Sequence, residues 1–530
     1  MPTKIRPILL IILLALVLRG YQIWTYPPLN PDEAALGYNA YSLILTGKDE
    51  HGIPWPLHFK SFGDYKPGLY VYLVIPFVKI LGLMPIAIRL PNLLLSILSI
   101  YTLYKTVLLL TKNSQLSSLT ALILTLNPWH LHFSRGAWES STALSFILIG
   151  TYFFFKHLQN FKYLYFSILF FVLSLYTYHS ARLISPLLFL SLIFIHRIYF
   201  INRKSKIFLP LLFGLTLTLP VLLSFLQNGG TTRFGGVGLT ADHGPLSRSE
   251  ELLNQHSNFT LSTRLIHNRR ILYLLSWAQK YTSHFDPNFL FLNGDDVPRS
   301  KIPDMGQLYF VDLPFLLFGV YSLFHFQKVK NLLPITCCLL LISPLASSLT
   351  FQSPSALRSL PLIVPLTIIV SIGLYFFLQK FHSFTVYSLL FIIYLFSIVY
   401  YLDSYYIHYQ KRYSESWNYG FQQLIPYVES QKNNFSDIWI TNKYDQPYIF
   451  YLFFSQYPPQ QLQPQIQLTP KDQYGFSTVT KIDNIHFGRI DWNQIGPNSL
   501  IITANEPVPQ EPLKTLNFPN GQSAFKIYIK

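Results

Sequence analysis

Long apolar segments are the feature that most constrains this sequence. Eleven runs of mostly aliphatic and aromatic residues follow one another, most of them close to the roughly 20 residues that a helix needs to cross a bilayer. They lie at about 8–18, 86–110, 116–132, 137–157, 161–179, 182–200, 207–227, 308–326, 331–350, 357–378 and 383–402. Only 12% of the residues are charged, which excludes a set of ordinary soluble domains. The sequence predicts an all-α polytopic protein of the lipid bilayer with about 11 transmembrane helices.

The basic residues indicate how these helices are oriented. The formal net charge is +16, which in a soluble protein would suggest a nucleic-acid partner. Here the basic residues lie mostly in short alternate loops, so we expect no nucleic acid and interpret them as the cytoplasmic side. These residues are Lys4, Arg6, Lys105, Lys112, Lys156, Lys162, Arg197, Arg203, Lys204, Lys206, Lys328, Lys330 and Lys380. The pattern predicts a multi-pass protein of the plasma membrane with a cytoplasmic N-terminus.

The large polar segments then share the outer face. They are the loops 26–85 and 228–307 and the segment after the last run. We expect residues 1–402 to form the transmembrane module and residues 403–530 a small extracytoplasmic α/β domain. Its strands are predicted at Asp437–Thr441 and Ser499–Thr503, and Asn520-Gly521 indicates a hairpin. The apolar segment 68–83 is short and contains Pro76, so we interpret it as an interfacial or re-entrant element.

A pair of adjacent acids follows the first apolar run. Asn30-Pro31-Asp32-Glu33 is typical of a helix start, with Asn30 as the N-cap and Glu33 reaching back to it. Acids are scarce in this chain, and carboxylates at a membrane boundary are usually functional. The two interpretations are compatible, because a cap can hold a carboxylate in place. We therefore take Asp32 and Glu33 as the candidate catalytic residues.

Other polar residues are predicted to gather on the same face. Lys66 and the outer-end arginines Arg135, Arg182 and Arg358 are candidates for binding a donor phosphate, because positive charge is unexpected on the outer side and Arg suits phosphate. Three residues are candidates for binding substrate: Asp64, Tyr178 and His179. Each could also be an ordinary turn residue or a membrane anchor. The histidines show no metal-ligand spacing, so no metal site is predicted.

These residue types suit one class of reaction. A carboxylate such as Asp32 can accept the proton of an attacking hydroxyl group. Lys66 and the arginines can stabilise the charge that collects on a departing phosphate. The combination describes glycosyl transfer from a polyprenyl-phosphate sugar to a hydroxyl acceptor, which stays unknown and is a protein, a lipid or a glycan. No Asp-x-Asp motif for a nucleotide sugar occurs in the sequence.

The order of the motifs resembles the membrane glycosyltransferases of the GT-C fold, such as the protein O-mannosyltransferases and the bacterial lipid A aminoarabinose transferases. The similar elements are Asp32-Glu33, Lys66-Pro67, Arg89-Leu90, Pro128 with Ser134-Arg135, Tyr178 to Arg182, Phe285 to Gly294 with Gly306, and Trp417 to Gly420. The resemblance implies that the acid at Asp32 is the base and that Lys66 binds donor phosphate. Aminoarabinose transferases carry a glutamate before that lysine, whereas Tyr65 stands there in this chain. The sequence requires no cofactor and leaves a divalent metal possible.

Other function classes remain open from the sequence. A transporter or flippase of lipid-linked sugars would place ionisable residues near the middle of its spans. A membrane scaffold gives no reason for acids and arginines to gather on one face. The mid-span charges are few, which favours the transferase.

The charge pattern generates a prediction on topology. Reporter fusions at Lys206 and at Lys530 are expected to lie on opposite sides of the membrane, because Lys206 belongs to a basic loop and the C-terminal segment to the outer face. A paired alkaline phosphatase and green fluorescent protein fusion at each position measures this. Finding both positions on one side would contradict the eleven-span arrangement.

Overall fold

The computed structural model describes residues 7–227, 238–256, 260–472 and 475–530. The basic residues Lys4 and Arg6 and the start of the loop predicted at 228–307 lie outside the described residues. Four helices are labelled here: α1 (Pro7–Gly20), α2 (Pro31–Thr46), α3 (Leu69–Leu81) and α4 (Pro85–Thr111).

The remaining α-helices follow in chain order. They are Ser114–Leu126, Pro128–Phe133, Glu139–His157, Tyr163–Leu175, Ala181–Ile195, Arg197–Ile201, Lys204–Gln227, Gly244–Asn254, Leu261–Ile266, Arg269–Thr282, Asp312–His325, Leu333–Ile342, Leu345–Ser348, Ile363–Lys380, Phe384–Asp403, Tyr409–Tyr413, Phe421–Gln431, Pro447–Phe454 and Pro459–Leu462.

The described chain forms two compact units. The first, called the helical unit, contains the described residues of Met1–Leu16, Ser96–Phe133 and Ser140–Val399. The second, called the α/β unit, contains Val17–Leu95, Ser134–Glu139 and Tyr400–Lys530. The sequence instead divides the chain into 1–402 and 403–530, and that division stays a prediction.

The described residues contain fewer helices that are long enough to cross a membrane than the eleven that the sequence predicts. Among the described residues, five segments are long and apolar enough to cross: Pro85–Thr111, Ser205–Ser224, Gln327–Ser348, Leu360–Lys380 and Phe384–Tyr413. Shorter apolar helices are Pro7–Gly20, Leu69–Leu81, Ser114–Leu126, Tyr163–Leu175, Ala181–Ile195 and Asp312–His325. The multi-pass character is clear, whereas the count of eleven spans is not established.

Helix α3 occupies the segment that the sequence treats as interfacial. Its 13 residues extend about 20 Å, less than the roughly 30 Å of a hydrocarbon core. One face of α3 is buried through Tyr70, Val71, Val74 and Val78, whereas Ile80 is exposed. The interfacial interpretation of this helix stays a prediction.

A two-stranded sheet precedes α3. Strands β1 (His58–Ser61) and β2 (Asp64–Pro67) are antiparallel, and Phe59 pairs with Lys66. The two residues between them, Phe62 and Gly63, both have positive φ, as a type I′ hairpin turn requires. A side chain at Gly63 would meet Ser477, whose amide donates to the Phe62 carbonyl oxygen at 2.8 Å. The hairpin is therefore held in a fixed position.

The C-terminal residues form a six-stranded mixed sheet of order β4-β5-β3-β6-β8-β7. The strands are β3 (Asp437–Thr441), β4 (Lys481–Ile482), β5 (Ile485–Gly488), β6 (Ser499–Thr503), β7 (Lys514–Asn517) and β8 (Ser523–Ile529). Strand β3 runs parallel to β5 and β6, and the other pairs are antiparallel. Both predicted strands and the predicted Asn520-Gly521 hairpin are confirmed.

One hydrophobic core joins this sheet to the first loop. Buried residues from α2 and α3 pack with buried residues from Phe421–Gln431, Pro447–Phe454 and the central strands. The Tyr38 hydroxyl of α2 donates to the Tyr457 carbonyl oxygen at 2.8 Å. Helix α2, which begins at the candidate site, is thus packed into the hydrophobic core of the α/β unit.

Candidate functional site

The start of α2 is capped as the sequence predicts. The Asn30 side chain accepts a hydrogen bond from the Glu33 amide at 2.9 Å, and the Glu33 carboxylate accepts one from the Asn30 amide at 3.3 Å. Pro31 occupies the first helical position, where its missing N–H costs nothing. This capping box fixes the backbone that carries Asp32.

Glu33 is engaged on both carboxylate oxygens. Arg89 Nε donates to Glu33 Oε1 at 2.8 Å, and Arg89 Nη2 donates to Oε2 at 2.7 Å. The amide of Ala137 adds a bond to Oε1 at 2.7 Å. Both side chains are buried, so each charge depends on the other for compensation. Glu33 is therefore built into the framework of the site.

Arg89 also holds the segment between α1 and α2. Its Nη1 donates to the carbonyl oxygens of Ile23 at 2.9 Å and Pro27 at 2.8 Å, and its Nη2 donates to Pro28 at 3.2 Å. A proline-containing segment has few N–H groups for a regular ladder, so its carbonyls need other donors. The sequence motifs assign no role in the site to Arg89. The signal was present, because a charge inside an apolar helix requires a partner.

Asp32 is arranged differently from its neighbour. It forms an ion pair with Lys66 of β2, and its side chain is 49% exposed, against 16% for Lys66. Burial alone would lower the pKa of Lys66, but the charges of Asp32, Glu139 and Asp64 outweigh burial and raise it. Lys66 is consequently cationic at any physiological pH.

A small cavity lies beside this pair. The space in it and at its mouth, open solvent included, is about 230 Å³. The lining residues are Asp32, Ala35, Leu36, Asn39, Phe59, Ser61, Lys66, Pro67 and Val71. The charged groups of the lining are one carboxylate and one ammonium group, Asn39 and Ser61 are its other polar residues, and the rest of the wall is apolar.

Asp64 belongs to the same hairpin as Lys66. Its Oδ1 accepts a hydrogen bond from the Tyr65 amide at 2.9 Å, which shapes the start of β2. Its negative charge is one of those that raise the pKa of Lys66. Asp64 thus contributes to the field around the ammonium group.

Arg135 uses its donors within the α/β unit. Its guanidinium group donates to the carbonyl oxygens of Leu18 at 2.7 Å and Tyr21 at 2.6 Å. It also donates to the Tyr405 hydroxyl at 3.2 Å and lies over the rings of Tyr405 and Tyr406. The buried Arg135 is thus occupied by backbone and aromatic groups.

The remaining predicted residues belong to the helical unit. Arg182 Nε donates to the Leu175 carbonyl oxygen at 3.3 Å, and Nη1 lies 3.4 Å from His179 Nδ1. Tyr178 precedes this pair in the turn before Ala181–Ile195. Arg358 donates to Thr350 Oγ1 at 3.0 Å and to the Gln352 carbonyl oxygen at 3.1 Å. The structure brings Arg182 and His179 together.

One buried acid of the helical unit was missed. Asp295 accepts hydrogen bonds from the amides of Ala356 at 2.6 Å and Val297 at 2.8 Å. Burial raises the pKa of Asp295 to about 6. Asp295 thus holds the loop that leads to Arg358. Its sequence context, Asn293-Gly294-Asp295-Asp296, is typical of a surface turn and therefore does not indicate a buried acid.

Metal ligands do not cluster in the described part of the chain. Across residues 7–227, 238–256, 260–472 and 475–530, no group of three or more His, Cys, Asp or Glu side chains could hold a metal ion. The donors that do meet at the site are one carboxylate and one ammonium group.

Comparison with known proteins places the fold. ArnT from Cupriavidus metallidurans bound to undecaprenyl phosphate aligns over 94% of this chain and 93% of its own, with 11% identity and a TM-score of 0.53. Its apo form aligns over 98% and 97%, with 10% identity and a TM-score of 0.48. The oligosaccharyltransferase AglB from Archaeoglobus fulgidus, in complex with an inhibitory peptide and a dolichol-phosphate, aligns over 85% and 63%, with 13% identity and a TM-score of 0.45. No family model and no curated protein matches the sequence.

The likeness to ArnT, a lipid A aminoarabinose transferase, confirms that this chain has the GT-C fold. At this level of identity the likeness establishes the fold and nothing finer. The function has to be argued from the site itself.

The buried ion pair generates a prediction on stability. Arg89→Met is expected to destabilise the protein by about 3–5 kcal/mol, because it leaves the Glu33 carboxylate buried without its cation. Glu33→Gln combined with Arg89→Met is expected to cost about 1–3 kcal/mol less than the sum of the single changes. Thermal unfolding of the detergent-purified variants measures both effects.

Lys105→Met on the same helix is the control for that experiment. Lys105 is half-buried and lies over the Tyr101 ring, without a buried acid. Its loss is expected to cost under about 1 kcal/mol. Additive costs for Glu33 and Arg89 would show that the pair is not a unit.

Proposed function

We propose that this protein is an integral membrane glycosyltransferase that moves a sugar from a polyprenyl-phosphate donor to a hydroxyl acceptor on the outer face of the membrane. The observation that carries the proposal is the Asp32–Lys66 pair beside an open cavity, on a helix start that the buried Glu33–Arg89 pair fixes. The GT-C fold of the chain supports it, since that fold is shared with ArnT, which was solved with undecaprenyl phosphate bound.

Asp32 acts as the general base in this proposal. It is half-exposed beside the cavity, so an acceptor hydroxyl group can reach its carboxylate. The base accepts the hydroxyl proton while the oxygen attacks the anomeric carbon and the bond to the phosphate breaks. Such proton transfer contributes typically 10²–10⁴-fold to a rate.

Lys66 acts on the leaving group. It presents a permanent positive charge at the cavity, and the β1–β2 hairpin holds it in place. A preorganised cation stabilises the negative charge that develops on the departing lipid phosphate. The charge of Asp64 adds to the larger effects of Asp32 and Glu139 in raising the pKa of Lys66. Asp64 is proposed to contact substrate from the same hairpin.

Glu33 is proposed as a positioning residue, because its oxygens are committed to Arg89 and two backbone amides. Arg135 is proposed to brace the segment before α2 rather than to bind phosphate, since its donors are committed to carbonyl groups. The roles of Arg182, Arg358, His179 and Tyr178 stay predictions from the sequence. So do the external position of residues 403–530 and the identity of the sugar and the acceptor.

The base generates a prediction on activity. Asp32→Asn is expected to lower kcat by at least about a hundredfold, because the amide keeps the shape of the side chain and loses its basicity. The purified protein is assayed with undecaprenyl-phosphate sugars as donors, with nucleotide sugars offered in parallel. Transfer from a nucleotide sugar alone would overturn the proposal.

Glu33→Gln is the companion variant in that assay. Its expected effect is a lower unfolding temperature, whereas Asp32→Asn leaves unfolding almost unchanged because a half-exposed ion pair contributes roughly 0–1 kcal/mol. A normal rate for Asp32→Asn would assign the proton transfer to a different residue.

Lys66 generates a separate prediction on the donor. Lys66→Met is expected to weaken kcat/KM for the donor by roughly 10- to 150-fold, which corresponds to the 1.5–3 kcal/mol of a hydrogen bond to a charged group. Lys60→Met, on the neighbouring strand β1, is the matched control and is expected to change it less than about threefold. Equal effects of the two substitutions on kcat/KM would show that donor binding depends on the total charge of the hairpin and not on Lys66 itself.

A further inference from the structure

A buried carboxyl group lies behind the candidate site. Glu50 belongs to the loop after α2 and is wholly inaccessible to solvent. Neither of its carboxyl oxygens has a hydrogen-bond partner among the residues that the structure describes. An ionised carboxylate in such a place would cost several kcal/mol, so a protein buries one only when it stays neutral or when a partner compensates it.

The loop that carries Glu50 is well fixed. The Glu50 amide donates to Asn39 Oδ1 at 3.0 Å. Asp49 Oδ1 accepts from the amides of His51 at 2.9 Å and Ile53 at 2.8 Å. The backbone on both sides of Glu50 is thus held by hydrogen bonds to the side chains of Asn39 and Asp49.

The groups that face Glu50 offer little compensation. On its own loop, burial raises the pKa of Asp49 and lowers the pKa of His51 to about 4, so His51 is neutral. His51 Nε2 lies 3.5 Å from Glu50 Oε1 but donates to the Lys60 carbonyl oxygen at 3.1 Å. From α2 and from Pro447–Phe454, the phenols of Tyr38 and Tyr448 face it, and their pKa values are raised.

These surroundings decide the charge of Glu50. Burial, followed by the charge of Asp49, raises the pKa of Glu50 to about 8, against the opposing effects of Asn39 and Lys66. Glu50 therefore holds its proton at neutral pH and releases it at alkaline pH. Lys66 is the cation whose field favours the release.

Asn39 connects this group to the site. Its side chain lines the cavity beside Asp32 and Lys66, and its Oδ1 accepts a hydrogen bond from the Glu50 amide. The charge of Lys66 acts on the Glu50 carboxyl group, so a charge that appears on Glu50 would in turn act on the Lys66 ammonium group.

We propose that Glu50 is a positioning residue for Lys66, whose buried and uncharged carboxyl group leaves the ammonium group available to Asp32 and to the donor phosphate. The proposal rests on the proposed function, because it assumes that Lys66 binds a lipid phosphate. Ionisation of Glu50 attracts the ammonium group and repels the phosphate, so the protein loses affinity for the lipid above the pKa of Glu50.

The experiment measures binding of undecaprenyl phosphate to the full chain in detergent between pH 6.5 and 9.5. Wild type is compared with Glu50→Gln and Glu50→Met, which are neutral at every pH. The lipid phosphate also titrates in this range, but it does so equally in every assay. The ratio of wild-type to variant affinity therefore reports only the titration of Glu50. That ratio is expected to fall roughly tenfold across the range, the change that one pKa unit of coupling implies. The exposed Glu511→Gln is the control and is expected to keep the wild-type pH profile.

Thermal unfolding supplies a readout that does not depend on the lipid. The unfolded carboxyl group ionises near pH 4.3, whereas folded Glu50 keeps its proton up to about pH 8. The folded wild type therefore loses stability as pH rises between these values, and this part of the loss is expected to disappear in both neutral variants. An unchanged stability profile in both variants would overturn the neutral state of Glu50.

The outcomes separate this proposal from the proposed function. Binding of the lipid with a constant affinity ratio across the pH range overturns the role of Glu50 and leaves the proposed function standing. Absence of lipid binding by wild type at every pH overturns both.

Discussion

The buried Glu33–Arg89 ion pair is the interaction on which the candidate site depends. It closes the capping box of α2, ties α4 to that helix start and, through the spare donors of Arg89, holds the carbonyl groups of the preceding segment. Removal of either partner lowers the stability of the fold strongly, because the remaining charge would be buried without compensation. The benefit of the pair is a single backbone position for the residue next to Glu33, which is Asp32.

Adjacent residues in a helix point in different directions, and the site uses this. Glu33 turns inward and is saturated with donors, whereas Asp32 turns toward the cavity and meets Lys66. One acid is therefore part of the buried framework, and the other faces the cavity. Catalytic groups work best when their supports are fixed beforehand, because a misplacement of about 1 Å can cost 10²-fold in rate. The shared core of α2, α3 and the C-terminal sheet extends the same rigidity outward.

Local sequence signals predicted the local structure well. The α2 cap, strands β3 and β6 and the Asn520-Gly521 hairpin follow from residue types whose preferences act over a few positions. Long-range partners could not be predicted in this way. The apolar residues of Pro447–Phe454 indicate burial but do not indicate which elements they pack against. Asp49-Glu50 resembles a surface turn, although Glu50 is buried. The number of spans also stays open, because helix length in the structure is shorter than the apolar runs suggest.

The arginines show why a residue type alone does not define a site. A guanidinium group suits a phosphate and a set of carbonyl oxygens equally well, since both offer fixed acceptors. Arg135 and Arg89 both use the second option, and together they hold the carbonyls of a segment that contains Pro27 and Pro28. Within the described α/β unit, the cation at the cavity is Lys66. Because Arg135 is already committed, it cannot replace Lys66 without releasing the segment that places Asp32.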